Sequence, residues 1–321
     1  AIPMELQVLY GFNNVWIPEY FNEYLAIAHQ APMKFYGMLN TKYIYADQPI
    51  ESDDLSFIGK FNECTICYDD SVDAGIDGPY LYENLLYLPR AYMADRSILV
   101  MGDGAREAMY SLMLLDSFSP QNAVLVMDQK GKISDYSQEF LNHFDAILLT
   151  SGELDLPSNA LLTAYAAQGG KVLPDIPNGK TEITQEEVEA VLSSSGIAEE
   201  IPIEDYSPNG YSITPEGSGF LVLSEKFFMF DAWKAKSSKE LEMLRGNGLQ
   251  TVIWVDTPEK ITFSYESSTF RTGMIISIVT VILLVGLAIF TFFSRKKAKK
   301  HLRSSSEAQG AAMPSGQARR T

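Results

Sequence analysis

Cysteine and histidine are scarce: the 321 residues include two of the first and three of the second. So few ligands exclude a disulfide-dense scaffold and leave little for a structural metal centre. The cysteines stand together as Cys64-Thr65-Ile66-Cys67. A zinc site needs four ligands, and the other candidates are His29 and His143, both remote in sequence. A redox pair of the thioredoxin type should open a helix after a strand. Here the flanking residues, Phe61-Asn62-Glu63 and Tyr68-Asp69-Asp70, read as a loop. The expected state is a local structural disulfide, Cys64–Cys67.

Charge is missing from a second place. Residues 272–294, TGMIISIVTVILLVGLAIFTFFS, contain no ionisable side chain. As a helix they reach about 34 Å, enough to cross a hydrocarbon core of about 30 Å. A run this long and uniformly apolar predicts a transmembrane helix rather than a buried core helix. The cluster that follows is Arg295, Lys296, Lys297, Lys299, Lys300 and Arg303, whereas Arg271 alone precedes the run. By the positive-inside rule the C-terminal tail is cytoplasmic and the large N-terminal region is extracytoplasmic. The lipid bilayer is thus the first expected partner and the cell membrane the expected location. Ser304 to Thr321, rich in Ser, Gly, Ala and Gln, has the composition of a disordered tail.

Basic residues are also scarce outside the tail. The chain has 25 Lys and Arg against 41 Asp and Glu. Setting aside residues 295–321, with 8 basic and 1 acidic, leaves 17 basic and 40 acidic, a net of −23. Nucleic-acid binding needs a basic footprint and is excluded as a function class. An acidic surface suits a soluble extracytoplasmic domain. The chain opens at Ala1 without an initiator Met, so the expectation is a processed terminus or a longer parent chain.

What is present divides into segments. Residues 1–96 are aromatic-rich, with a short helix at 19–29 and strands at 42–46, 56–61 and 80–82. Residues 97–196 alternate apolar strands (97–101, 123–127, 146–149, 171–173) with helical stretches (105–115, 138–144, 157–167). A further helix begins at Thr184, where Glu187 three residues on forms a capping box. Gly169-Gly170 ends the helix at 157–167. That alternation predicts a parallel, doubly wound α/β module. Residues 197–270 predict an antiparallel β module with strands at 220–223, 227–230, 251–255 and 261–265 and a helix at 238–244. The fold class is therefore α+β multi-module, with 271–294 as the transmembrane helix and 295–321 as the basic cytoplasmic tail.

Few motifs carry chemistry. Gly102-Asp103-Gly104 between strand and helix lacks the third glycine of a dinucleotide fingerprint, since position 107 is Glu; it reads as a tight turn. Asp69, Asp70, Asp73 and Asp77 share a loop with Gly75 and Gly78, a composition that can hold calcium. The EF-hand spacing fails, because its bidentate Glu position falls on Tyr80, and a solvated acidic loop is the alternative. No other cofactor is implied, and no catalytic constellation stands out.

The stretch 145–173, DAILLTSGELDLPSNALLTAYAAQGGKVL, resembles the class I glutamine-amidotransferase-like fold: strand, loop, a helix ending in Gly-Gly, strand. The Pro174-Asp175-Ile176-Pro177-Asn178 that follows has no nucleophilic cysteine and no G-x-S-x-G, so this likeness implies a scaffold and not hydrolysis. A second resemblance covers most of residues 35–96 and 218–294. Met38-Leu39-Asn40-Thr41-Lys42-Tyr43-Ile44, Leu81-Tyr82-Glu83-Asn84, Leu88-Pro89-Arg90-Ala91-Tyr92, Phe220-Leu221-Val222-Leu223-Ser224-Glu225 and Ala232-Trp233-Lys234-Ala235 are similar to signature segments of YfhO-like integral membrane proteins. In that family such segments precede a last transmembrane helix, and the α/β module would be an insertion.

This resemblance implies the C-terminal outer region of a polytopic GT-C-type glycosyltransferase-like protein that uses lipid-linked sugars. The N-terminal transmembrane bundle and its catalytic carboxylate lie outside this sequence. The expected function is a non-catalytic accessory role in cell-surface glycan assembly, with a lipid-linked sugar or surface glycan as partner. The alternative is a single-pass surface binding protein with no role in sugar transfer. The residues implied for binding are Tyr82, Glu83, Asn84, Pro89 and Arg90. A structural ion pair of Arg90, joining the first segment to the β module, is the competing reading of that cation.

Overall fold

Residues 19–46, 48–60, 80–150, 154–175, 182–193, 198–207, 209–230 and 232–310 are described in this computed structural model. The chain forms two compact units, Ala1–Tyr265 and Glu266–Thr321. The architecture is mixed α/β: a mixed sheet of eight strands, antiparallel sheets of three and five, and a long C-terminal helix. The predicted disulfide Cys64–Cys67 and the acidic loop Asp69, Asp70, Asp73 and Asp77 fall outside the described residues. No disulfide is found among the described residues.

Two short helices, α1 (Glu19–Ala28) and α2 (Pro32–Met38), open the first unit. Pro32 suits the first turn of α2, where no backbone donor is needed. The three-stranded sheet follows, β1 (Tyr43–Ala46), β2 (Leu55–Lys60) and β3 (Tyr80–Asn84), in the order β1-β3-β2. Gly37 of α2 lies so close to the Leu86 carbonyl that any side chain there would strike it.

Next come β4 (Ala91–Ala94), β5 (Arg96–Met101), α3 (Ala105–Leu114), β6 (Ala123–Met127), α4 (Gln138–Leu141), β7 (Ala146–Leu149), α5 (Leu156–Ala167), β8 (Lys171–Leu173) and α6 (Gln185–Leu192). Strands β5 to β8 are parallel to one another, in the order β6-β5-β7-β8. Their continuous apolar runs are almost wholly buried, as parallel strands are. Local chemistry fixes the helix ends. Gly102 and Gly104 both take left-handed φ in the β5–α3 turn. Asp155 caps α5 through the Ser158 N–H, and Thr184 with Glu187 forms the capping box of α6. Lys34 of α2 donates to the Leu115 carbonyl at 2.9 Å, satisfying the C-terminal end of α3.

The remaining strands are β9 (Ile203–Ser207), β10 (Gly210–Ile213), β11 (Gly219–Leu223), β12 (Trp233–Lys236), β13 (Glu240–Leu241), β14 (Leu244–Gly246), β15 (Gln250–Val255) and β16 (Ile261–Tyr265). Residues 238–244 are not a helix, contrary to the sequence expectation; they supply β13 and the start of β14. Pairing of Glu240 with Lys236 on β12, and of Leu244 with Val252 on β15, overrides the helical spacing of Leu241 and Leu244. Residues 227–230 are likewise not a strand. Phe227–Met229 forms a 3₁₀ turn that buries Phe227 against Trp233, Tyr211 and Phe263.

The eight-stranded sheet runs β4-β11-β15-β14-β6-β5-β7-β8 and so draws strands from all three sequence segments of the first unit. The five-stranded sheet runs β13-β12-β16-β10-β9. One core packs on the parallel strands, α3 and α5, and includes Tyr24, Phe35, Met109, Leu162 and Tyr165. A second fills the space among Leu221, Leu223, Ile253, Tyr211, Ile213 and Phe263.

The parallel and antiparallel halves of the large sheet meet at a buried hairpin, β14–β15. Gly246 pairs with Val126 of β6. Beyond it, Asn247 donates its N–H to the Leu125 carbonyl, and its Oδ1 accepts the Leu125 N–H, both at 2.9 Å. The Asn247 side chain thus continues the ladder one residue past the strand. Asn247 and Gly248 have φ of 42° and 80°, a left-handed pair that Asn-Gly adopts readily in tight turns. Nδ2 of Asn247 donates to Gln250 Oε1 at 2.8 Å, and Gln250 Nε2 donates to the Met38 carbonyl at 2.8 Å. Arg245, 4% exposed, donates to the Gly248 carbonyl at 2.7 Å and to Tyr110 Oη at 3.2 Å.

The second unit is dominated by α7 (Ser268–Gly310). Its portion Ser268–Phe293 is long and apolar enough to cross a membrane.

Replacing Asn247 by Ala would deprive the buried Leu125 N–H of its acceptor and Gln250 Oε1 of its closest donor. The expected loss is about 2–3 kcal/mol of stability, read as a lower denaturation midpoint. Gly248→Ala should cost at least as much, because a Cβ there would meet the Tyr24 ring at 2.8 Å and Tyr110 at 3.0 Å. A midpoint unchanged in both variants would show that the hairpin does not join the halves.

Candidate functional site

The five residues implied for binding do not converge on a common opening. Tyr82 is buried on β3, and its hydroxyl accepts the Ile50 N–H at 2.9 Å. Asn84 is buried too. Its Nδ2 donates to the carbonyls of Met33 (2.9 Å) and Thr41 (3.1 Å), and its Oδ1 accepts the Leu86 N–H at 3.0 Å. That arrangement ties α2 to β3 and uses both amide hydrogens within the protein. Glu83 points the other way, toward Lys42 at 3.8 Å, with both side chains about two-fifths exposed. Pro89 is buried, and its carbonyl accepts from Ser224 Oγ at 3.3 Å.

Arg90 is the most informative of the five. Its Nε donates to Glu225 Oε1 at 2.6 Å, and its second guanidinium nitrogen pairs with the same oxygen. The guanidinium carbon lies 5.4 Å from the Tyr206 ring centre and 5.6 Å from that of Tyr211. The guanidinium thus meets the carboxylate through two of its nitrogens with two tyrosine rings close by, a use that lysine cannot reproduce. Around the pair, Ser224 N–H donates to the Arg90 carbonyl at 2.9 Å, and Ser224 Oγ reaches the Met38 carbonyl at 3.1 Å. Strand pairing extends the same junction, since Ala91 lies opposite Leu223 and Tyr92 opposite Val222. The ion pair that the sequence left as the competing role of Arg90 is therefore the geometry observed. Glu225, its partner 135 residues away, gave no local signal beyond its place at the end of an apolar strand.

A solvent-facing groove of 380 Å³ lies elsewhere, at the N-terminal ends of β5, β7 and β8. Arg96, Asn142, Asp145, Gln168 and Lys171 form its polar lining, over Phe144 and Tyr165. Gly170 sits against the Tyr165 ring with no room for a Cβ. Asp145 is occupied from two sides: Oδ1 pairs with Arg96 at 3.1 Å, and Oδ2 accepts from Ser97 N at 2.9 Å and Ser97 Oγ at 3.0 Å. Asn142 Nδ2 donates to Gln168 Oε1 at 2.8 Å. Arg96, Asp145, Asn142 and Gln168 thus already have partners, and none of the lining groups carried a sequence signal for binding.

Comparison with family models, curated proteins and solved structures returned no match. Among the described residues no group of three or more His, Cys, Asp or Glu stands close enough to hold a metal ion. Beside the groove, the His143 ring stacks on Trp254 at 4.0 Å. Burial there holds its imidazole below the ordinary value, against the opposing pull of Asp256 and Glu139.

Arg90→Ala would leave Glu225 partly buried and unpaired, at side-chain exposures of 21% and 25% for the two partners. We expect it to lower stability by about 2–4 kcal/mol, with Arg90→Lys recovering only part of the loss. An unchanged melting temperature in Arg90→Ala would refute the structural role.

The sign of the His143 effect follows from its lowered folded pKa. In the window below about 6.5 the unfolded chain binds a proton that the folded chain refuses, so stability is lost as pH falls through that value. The wild type should therefore lose more melting temperature between about pH 7.5 and about pH 5.5 than His143→Phe, which keeps the stack but cannot charge. Equal losses in the two proteins would contradict this.

Proposed function

We propose that the chain is the extracytoplasmic, non-catalytic portion of a membrane glycosyltransferase-like protein of the YfhO-like kind, serving cell-surface glycan assembly. The observation that carries the reading is where the resembling segments meet. Leu88 to Tyr92 and Phe220 to Glu225 are far apart in the chain, yet they pair as β4 and β11 and are clamped by Arg90–Glu225 across 135 positions. Trp233 to Ala235 falls on β12 and pairs with β16, the last strand before α7. The similarity thus follows one contiguous structural body that precedes an apolar helix in the chain, rather than scattered words.

Within this reading the strands β5 to β8, with a helix between each successive pair, form an inserted doubly wound unit related to the amidotransferase-like scaffold. The order β6-β5-β7-β8 supports that assignment, because the chain reverses direction across β5. The part played by this chain is binding and positioning of an acceptor or lipid-linked donor for a transmembrane bundle supplied by the parent protein. The basic cluster after Phe293 supports a cytoplasmic tail and an outer location for the rest.

The test is topology together with activity. Protease added to intact cells of the native host should remove residues 1–270 and spare the tail, and the isolated 1–321 chain should transfer no sugar from a lipid-linked donor. Protection of the large domain would overturn the outer location, and transfer by the isolated chain would overturn the non-catalytic role.

A further inference from the structure

The five-stranded sheet is chemically lopsided along its strands. At one end Tyr265 closes β16, with Trp233 of β12 directly opposite it and the two rings edge-on at 5.6 Å. Phe230 sits at the same end, since its carbonyl accepts the Trp233 N–H at 2.9 Å. Phe230 is 50% exposed and Tyr265 46%. The ring of Trp233 is also stacked on Phe227 at 4.0 Å, so it is held in place from the core side. At the other end the surface is ionic. Lys260, just before β16, pairs with Glu204 at 3.2 Å and Asp205 at 2.7 Å, and Lys239 pairs with Asp256 at 2.5 Å.

Covalent connection decides which end can meet a bilayer. Only Glu266 and Ser267 separate Tyr265 from the start of α7. Three residue steps reach at most about 11 Å, so the aromatic end is tethered within that distance of Ser268 whatever angle the linker takes. The stretch without ionisable side chains begins at Thr272. Four helical residues before it rise about 6 Å, which is close to the depth of one headgroup layer. Ser268 is then at the outer face of that layer, and a cluster of Trp, Tyr and Phe lies within reach of the zone that such side chains favour.

We propose that Phe230, Trp233 and Tyr265 form a membrane-interface contact that seats the aromatic end of the five-stranded sheet in the headgroup layer of a lipid bilayer. This rests on the reading of Ser268–Phe293 as a membrane span. The contact turns a two-residue tether into a restrained attachment and directs the ionic end of the sheet away from the lipid. The groups that meet lipid are uncharged rings, with the carboxylates of Asp231 and Glu266 beside them in the sequence.

The experiment uses the full chain in phosphatidylcholine vesicles carrying bromine high in the acyl chains. Trp233 is left as the sole tryptophan, excited selectively over tyrosine, by Trp16→Phe and Trp254→Phe. A companion protein moves the probe with Phe230→Trp and Trp233→Phe, which tests the contact at an exposed position if the first variant folds poorly. A control places it in the turn before β16 with Thr257→Trp, again with the native tryptophans replaced by Phe. Retention of each protein by the vesicles after alkaline extraction is measured in parallel. We expect retention throughout, quenching of roughly a third or more of the emission at positions 233 and 230, and little at 257. Retained protein with unquenched probes at 233 and 230, or with equal quenching at 257, would overturn the interface contact while leaving the anchor intact. Loss of the protein from the vesicles would overturn the span, and the contact with it.

Discussion

The first unit depends on a polar hairpin buried where two kinds of strand pairing meet. A parallel ladder and an antiparallel ladder meet on β6, and their hydrogen bonds differ in spacing and slant. Asn247 resolves the mismatch by presenting a side-chain carbonyl and a backbone N–H to Leu125, as a strand residue would. Gly246 lies between Val124 and Val252, where a side chain would collide, so the hairpin can approach β6 closely. The cost of burying this much amide is offset only because the polar groups find partners: Asn247 on Gln250, Gln250 on the Met38 carbonyl, and Tyr92 Oη on the Pro120 carbonyl at 3.1 Å.

That network reaches outward to the surface the resemblance highlights. The Met38 carbonyl at the end of α2 accepts from both Gln250 and Ser224. Ser224 also reaches Pro89, and the next residue, Glu225, holds Arg90. A chain of contacts therefore runs from the sheet junction to the Arg90 pair. Asn84, Pro89 and Arg90 are thus accounted for by packing.

Much of the α/β portion was legible in the sequence because its signals are local. Strands β5, β6 and β7 are unbroken apolar runs, Gly169-Gly170 ends α5, and Thr184 with Glu187 starts α6. The strands that went unread, β4, β9, β10, β12, β13 and β14, are two to five residues long. Ala91 becomes a strand residue only through Leu223, which is remote in the chain. Residues 238–244 show the same limit from the other side: their spacing suits a helix, and pairing with β12 and β15 overrules it. The Asn247-Gly248 dipeptide between apolar residues was a hairpin signal in plain view. The role of Arg90 was legible as an ion pair, although nothing in the sequence named Glu225.

Native-state hydrogen exchange tests the central claim, that Ala1–Tyr265 is a single cooperative body joined at the β14–β15 hairpin. The account predicts that the amides of Leu125 and Asn247 exchange only with global unfolding, and that β5 to β7 share that highest protection with β11, β14 and β15. Two separate protection classes, with strands β5 to β8 opening independently of β11, β14 and β15, would contradict it.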